Sequence, residues 1–389
     1  MFPELKKLFM LDSSITYLNH GSFGACPEPI FENLIEWQKK LEFEPVKHLA
    51  YDIFSLLEQS RESLSGYVGC NMNDIVFSPN PSTALNTVIK SLDLKENDEI
   101  LSTNHEYGAL NKTWSFICKK TGAKYKQQNI KLPLVSNKEF VKQFTDGITD
   151  KTKIIFLSHI TSSTALIFPV KEICKIAKKR KILCIIDGAH APAHIKLDIM
   201  DIDPDIYVGA CHKWMCSPKG VSFLYVKKEF QNKIDPLVVS WGYDSEATSL
   251  LPGTNNQTYT KFLNYHEWQG TKDMSAYLTI PSTIKFLKDN NWDEVAAKCR
   301  KMNLWARQEI NHFLNKESIC KDKFIGQMSS IYLDFKNAFE TQINFYKKYK
   351  IQIPFIEWHN KTFIRISLQA YNTKEDIFKL IEALKKEYH

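Results

Sequence analysis

Ile182-Leu183-Cys184-Ile185-Ile186 runs straight into Asp187-Gly188-Ala189-His190, and further on Asp205-Ile206-Tyr207-Val208 runs into Gly209-Ala210-Cys211-His212-Lys213-Trp214. A short unbroken apolar run bounded by turn residues reads as a strand buried on both faces. Val221-Ser222-Phe223-Leu224-Tyr225-Val226 is a third such run, so Lys213 falls on the connection between two buried strands. A lysine placed there must desolvate its ammonium or react it away. Burial lowers its pKa and frees the amine as a nucleophile.

Outward from this segment the chain alternates strand and helix. Asp74 to Ser78 is expected as a strand, and 82–91 as a helix opened by Asn80-Pro81-Ser82-Thr83. Asp98 to Thr103 is the next strand, with a helix from about 107. Ile154 to Ser158 is another, followed by a helix with Pro169 in its first turn. This rhythm predicts an α/β fold with a mostly parallel sheet covered by helices, which binds ligands beyond the carboxyl ends of its strands. Residues 1–30 read as irregular, leading to helices near 30–42 and 51–67. From about 275 the pattern changes to helices at 276–290 and 291–315, short strands near 329–334 and 362–368, and a terminal helix at 373–387. The expected division is a large domain over 31–271 and a smaller C-terminal α+β domain over 272–389, joined by the N-terminal segment 1–30.

Hydrophobic residues make up 43% and charged residues 24%, an ordinary globular balance. No apolar stretch reaches the length of a membrane span, and the N-terminus lacks the apolar core of a signal peptide. The net charge is +7, but the lysines are dispersed; the densest run, Lys171 to Lys181, reads as the solvated face of a helix rather than a nucleic-acid patch. Nine cysteines with no C-x-x-C pair favour reduced core thiols in the cytoplasm over a disulfide framework or a zinc site.

The residues that follow the strands carry chemistry. Asp187 is suited to pair with a pyridinium nitrogen, keeping an aromatic ring cationic and able to accept electrons from a substrate Cα. By itself it would read as a helix cap. Its pairing with Lys213 makes the layout that of a pyridoxal phosphate site, the lysine forming a Schiff base with the aldehyde. His190 can reach the cofactor's phenolate oxygen. Ser82 and Thr83 open a helix and offer an anion cradle, and His212 can reach the same phosphate. Tyr107 or His105 follows another strand end and can stack on the pyridine face. Arg365, flanked by isoleucines in Phe363-Ile364-Arg365-Ile366, suits a bidentate grip on a carboxylate, or an internal salt bridge. Asn19, His20 and Ser22 line a turn that forms a substrate entrance or only a turn.

Taken together these segments resemble the class V aminotransferase family within fold-type I pyridoxal phosphate enzymes, nearest to its isopenicillin N epimerase-like group. The resemblance is carried by Tyr17-Leu18-Asn19-His20-Gly21-Ser22-Phe23-Gly24, Asn104-His105-Glu106-Tyr107-Gly108-Ala109, Ser158-His159-Ile160-Thr161-Ser162, Asp187-Gly188-Ala189-His190-Ala191-Pro192, Cys211-His212-Lys213-Trp214, Trp268-Gln269-Gly270-Thr271, and Arg365 with Tyr371-Asn372-Thr373. It implies that Lys213 holds pyridoxal 5'-phosphate, Asp187 its pyridinium and His190 its phenolate side. It implies phosphate contacts from Ser82, Thr83 and His212. Thr271 would reach the phosphate of a neighbouring subunit, which implies a homodimer with shared sites. Tyr107 matches the stacking position better than His105. Ser162 stands where related desulfurases place an asparagine, and Ala210 where they place a phosphate-binding serine.

The expected activity is removal of the Cα proton of an amino acid or derivative by Lys213, ending in epimerisation or in β-elimination with C–S cleavage. Transamination is the alternative, and a non-catalytic scaffold or partner-binding protein the alternative of another class. Epimerisation needs a second acid on the far face, for which Tyr107 and His20 are the candidates. Cysteine desulfuration is disfavoured, because Ile353-Pro354-Phe355-Ile356-Glu357-Trp358-His359-Asn360 leads to Arg365 without a cysteine.

Overall fold

The computed structural model describes residues 2–243 and 259–388. The strands in chain order are β1 (Thr16–Tyr17), β2 (Ile75–Ser78), β3 (Glu99–Thr103), β4 (Lys124–Gln128), β5 (Thr152–Ser158), β6 (Leu183–Gly188), β7 (Ile206–Ala210), β8 (Ser222–Val226), β9 (Met328–Tyr332), β10 (Ile351–Gln352), β11 (Phe355–Trp358) and β12 (Lys361–Ser367). Seven of them form the main sheet in the order β2-β8-β7-β6-β5-β3-β4. The pairs β7/β6, β6/β5, β5/β3 and β3/β4 are parallel, while β8 runs antiparallel to both β7 and β2. The sheet is therefore mostly parallel, as expected, with one reversed strand inserted.

Successive residues of β6 face opposite cores. Cys184 and Ile186 pack with the helices Ile53–Val68, Val170–Arg180 and Ile280–Asp289. Ile185 packs on the other face with the helices Pro81–Ser91 and Gly108–Thr121. Burial on both faces explains why this strand is an unbroken apolar run. The helix Val170–Arg180 buries Val170, Ile173, Cys174 and Ala177, and its Lys171 and Lys178 turn outward to Asp201 and Asp203. The dense lysine run is thus a solvated face in part neutralised by acids.

A third core forms on the sheet β11-β12-β9, where Ile331, Ile364 and Ile366 pack against Phe345 and Leu380. Residues after 272 divide between two cores. Ile280, Ile284, Val295 and Cys299 join the first, while Met302, Ala306 and Ile310 join the third, so the helix Trp292–Phe313 bridges them. The N-terminus is strapped to the C-terminal part. β1 pairs parallel with β10, Asn19 bridges to Ser367, and Ser367 N–H donates to Leu18 O at 2.9 Å.

Among the described residues no helix is long and apolar enough to cross a membrane.

Candidate active site

Every parallel strand of the main sheet ends on one edge, and the candidate residues gather beyond it. Asp187 lies at the end of β6, with Ser158 of β5 beside it in register. Its carboxylate accepts the Ala189 N–H at 3.0 Å, and no cation lies within ion-pair distance of it among the described residues. Burial raises its pKa, against the pull of the Lys213 charge. A buried carboxylate with one backbone donor calls for a cationic partner.

Lys213 lies on the segment between β7 and β8. That segment closes on the start of β8, since Cys211 and His212 N–H groups both donate to Val221 O. β8 pairs with β2, whose Ser78 O accepts Ser222 Oγ at 2.9 Å, and β2 leads into the helix Pro81–Ser91. This pairing brings the lysine segment and the helix N-terminus to one edge. Lys213 Nζ stands 3.2 Å from His190 Nε2. Burial first, and Arg365 after it, push the lysine pKa down to about 8 against the opposing effect of Asp187. His190 is held neutral, its pKa well below the usual histidine range, by burial and by the charges of Lys213 and Arg365. At the helix start, Asn80 caps by accepting Thr83 N–H at 2.8 Å and Thr83 Oγ1 at 3.1 Å, with Ser82 on the same turn. His212 Nδ1 donates to Val221 O at 2.8 Å, which leaves its Nε2 as the nitrogen free to turn toward a ligand.

Arg365 comes from the middle of β12 and is buried. Its Nη1 donates to Ser162 O at 2.7 Å and to Ser162 Oγ at 3.2 Å. Its Nη2 donates to Ser22 Oγ at 2.7 Å and Asn19 Oδ1 at 3.4 Å. All four acceptors are neutral, and its Nε is buried without a partner. The internal salt bridge that the sequence also allowed is absent among the described residues. Two segments distant from β12 in sequence, the 19–22 turn and Ser162, therefore surround one buried, unneutralised cation, which is the arrangement that receives a carboxylate.

The remaining candidates are placed differently from one another. Tyr107 is 46% exposed, at the N-terminus of the helix Gly108–Thr121. His105 is fully buried, its ring bound to Thr164 Oγ1 at 2.8 Å and Ile130 O at 3.0 Å, and serves the core. His20 is also fully buried. Its Nε2 donates to Lys213 O at 3.0 Å and its Nδ1 accepts Tyr371 OH at 2.8 Å, so it supports the lysine segment from below instead of lining an entrance. Thr271 is exposed in the turn after the helix Lys261–Glu267, and no hydrogen bond among the described residues ties it to the cluster.

Two residues escaped sequence reading. Glu106 is buried and accepts Thr103 Oγ1 at 2.5 Å, Ser158 Oγ at 2.6 Å and Ser158 N–H at 2.9 Å. Burial pushes its carboxyl up to about 7, with a smaller upward push from Asp187. Trp214 donates its indole N–H to His190 Nδ1 at 3.3 Å. An acid three residues beyond the end of β3 is a signal for the first; nothing local marks the second.

A strand-edge lysine, an acid one strand away and a buried arginine from the C-terminal sheet define a pyridoxal 5'-phosphate-dependent enzyme. The chain belongs to the class-V aminotransferase family, which it matches over residues 27–380. It is 28% identical over 382 residues to isopenicillin N epimerase of Amycolatopsis lactamdurans, covering 97% of this chain and 96% of that protein. It is 27% identical over 395 residues to hercynylcysteine sulfoxide lyase of Schizosaccharomyces pombe, covering 98% and 96%. The fold is that of a cysteine desulfurase from Thermococcus onnurineus, with a TM-score of 0.81 at 17% identity over 100% of this chain and 98% of that one. The residues present fit the family's cofactor: Asp187 lacks a cation, Lys213 is in no ion pair among the described residues, and a capped helix start lies at the same edge.

Proposed function

We propose that this enzyme is a C–S lyase, which removes the Cα proton of an amino acid and expels a sulfur group from Cβ. The observation that carries this reading is the buried Arg365, whose partners are all neutral and which is therefore left with charge to match against an α-carboxylate. Arg365 binds and orients the substrate through that carboxylate. Pyridoxal phosphate, when bound, supplies an electron sink for the carbanion at Cα. Asp187 would hold negative charge against the ring nitrogen, and Ser82, Thr83 and His212 would hold the phosphate. Lys213, with its pKa near 8, takes the Cα proton onto its neutral amine. The electron pair left at Cα forms a Cα–Cβ double bond as the Cβ–S bond breaks, its own pair leaving on sulfur. Hydrolysis of the remainder gives a keto acid and ammonia.

Elimination needs one base, and Lys213 supplies it. Relatives named hercynylcysteine sulfoxide lyase and L-cysteine desulfhydrase support a sulfur-bearing substrate. Epimerisation is the second reading, favoured by the likeness to isopenicillin N epimerase. It requires a proton donor on the face opposite Lys213. Both ring nitrogens of His20 are engaged, which leaves the exposed Tyr107 as the candidate. Desulfuration is not proposed, since the hairpin of β11 and β12 that precedes Arg365 bears no cysteine. We place the enzyme in the cytoplasm, in keeping with its nine free cysteines, as a homodimer in which the exposed Thr271 reaches the partner's phosphate.

The test is to supply the loaded enzyme with L-cysteine, its S-substituted thioethers and their sulfoxides. Equal release of keto acid and ammonia is expected. Conversion to the other enantiomer without either product would replace this reading with the second.

A further inference from the structure

Trp214 follows Lys213 in the chain and is fully buried. Its ring packs against two imidazoles, with centroids 3.9 Å from His194 and 5.1 Å from His20. His194 is itself fixed, since its Nε2 accepts Gln327 N–H at 2.6 Å and its Nδ1 donates to His190 O at 3.0 Å. The buried indole directs its N–H at His190 Nδ1, 3.3 Å away. An indole nitrogen only donates. The His190 nitrogen that faces it must present a lone pair. His190 is neutral, so its one ring proton sits on Nε2. That nitrogen stands 3.2 Å from Lys213 Nζ. An N–H directed at an amine favours the neutral form, whose lone pair accepts it; an ammonium has only protons to present there.

We infer that Trp214 is a positioning residue for Lys213: its indole N–H selects the Nε2–H tautomer of His190, and that tautomer holds the lysine as a free, oriented amine. The inference rests on the proposed function only in taking Lys213 as the reactive amine, not in the fate of the substrate. The charged and titratable groups facing this pair are Asp187 on β6, Arg365 on β12, and His194 and His212. Asp187 favours the ammonium and Arg365 opposes it. His194 and His212 are held neutral, with pKa values pushed down to about 3 and about 4 by burial. The hydrogen bond from His190 acts beside these two opposed charges.

The test uses the full-length chain freed of cofactor. In a nitrogen-15 spectrum of the histidine-labelled protein, the His190 signals are those lost in His190→Gln. A protonated Nε2 and an unprotonated Nδ1 are expected; the reverse overturns the inference without any change at Trp214. The second readout is the pH midpoint for the rate at which added pyridoxal phosphate develops its protein-bound absorbance band. Trp214→Phe keeps an aromatic ring and removes the donor, so His190 can present a lone pair to the ammonium. The midpoint should rise by about one pH unit. In the His190→Gln background, where no tautomer remains to be selected, Trp214→Phe should add no shift. An unchanged midpoint in folded Trp214→Phe overturns the inference, as does an equal shift in the glutamine background. Should Trp214→Phe not fold, the wild-type nitrogen spectrum still decides. A chain with the expected tautomer that releases no keto acid from sulfur amino acids would overturn the proposed elimination and leave this inference standing.

Discussion

Gly24 lies so close beneath Lys213 that a β-carbon on it would come within 3.0 Å of the lysine Cα and 2.1 Å of the His212 carbonyl oxygen. Its φ is +68°, a conformation that glycine adopts without strain. Lys219 Nζ donates to the Gly24 carbonyl at 3.1 Å, and His20 holds the Lys213 carbonyl nearby. The first residues of the chain thus form the bed of the reactive lysine, and the same strap sends Ser22 and Asn19 to Arg365.

Gly24→Ala should therefore weaken fold and site together. The left-handed backbone alone costs about 1–3 kcal/mol, and the overlapping atoms are main chain that cannot swing aside. A lower thermal midpoint and weaker cofactor loading are expected, read by calorimetry and by absorbance titration. An alanine variant that matches wild type in both would show that the contact is dispensable.

Arg365 should trade stability for binding. A buried cation without a charged partner destabilises the empty protein. Arg365→Met should raise the melting temperature of the cofactor-free chain while lowering kcat/KM for amino acids. Two charged hydrogen bonds at about 1.5–3 kcal/mol each predict a loss of about 100-fold or more. Arg365→Lys keeps the charge but loses the planar fork, and should fall between. Amines without a carboxylate should react with the loaded variants as with wild type; a parallel loss on them would move Arg365 out of substrate binding.

Glu106 should impose a pH slope on stability. Its pKa rises from 4.5 to about 7 on folding, chiefly through burial. Between those values the folded chain binds a proton that the unfolded chain has released. The contribution of this group to stability is thus greatest at the acid end and falls as pH rises through the window, by about 3 kcal/mol at about 1.4 kcal/mol per unit. Glu106→Gln cannot titrate. The stability difference between wild type and variant, measured by denaturant titration from pH 5 to 8, should shift steadily in the variant's favour as pH rises and level off above 7. A constant difference would mean that the carboxyl is not desolvated as described.

The parts of this site that are legible in sequence are those fixed by local pattern. Asp187 ends an unbroken apolar strand, Ser82 and Thr83 open a helix behind Asn80-Pro81, and Lys213 sits between two apolar runs. What is not legible depends on residues far apart in the chain. The indole of residue 214 meets the imidazole of residue 190, and residue 20 caps the carbonyl of residue 213, through folding alone. His20 and Ser22 share one short turn, yet one is buried beneath the lysine and the other reaches the arginine. In the sheet, β4 goes unread because Lys124-Tyr125-Lys126-Gln127-Gln128 is an edge strand in which only Tyr125 packs on the core. The reversal of β8 leaves no trace, since a strand buried on both faces reads the same in either direction.

Lys213, and no other lysine, is expected to join the cofactor. Borohydride reduction of the loaded enzyme would turn that linkage into a stable secondary amine, and peptide mass spectrometry would locate it. A pyridoxyl phosphate adduct is expected on the peptide holding Cys211-His212-Lys213-Trp214, and is lost in Lys213→Ala. An adduct on another lysine of the wild-type enzyme, or none at all, would contradict it.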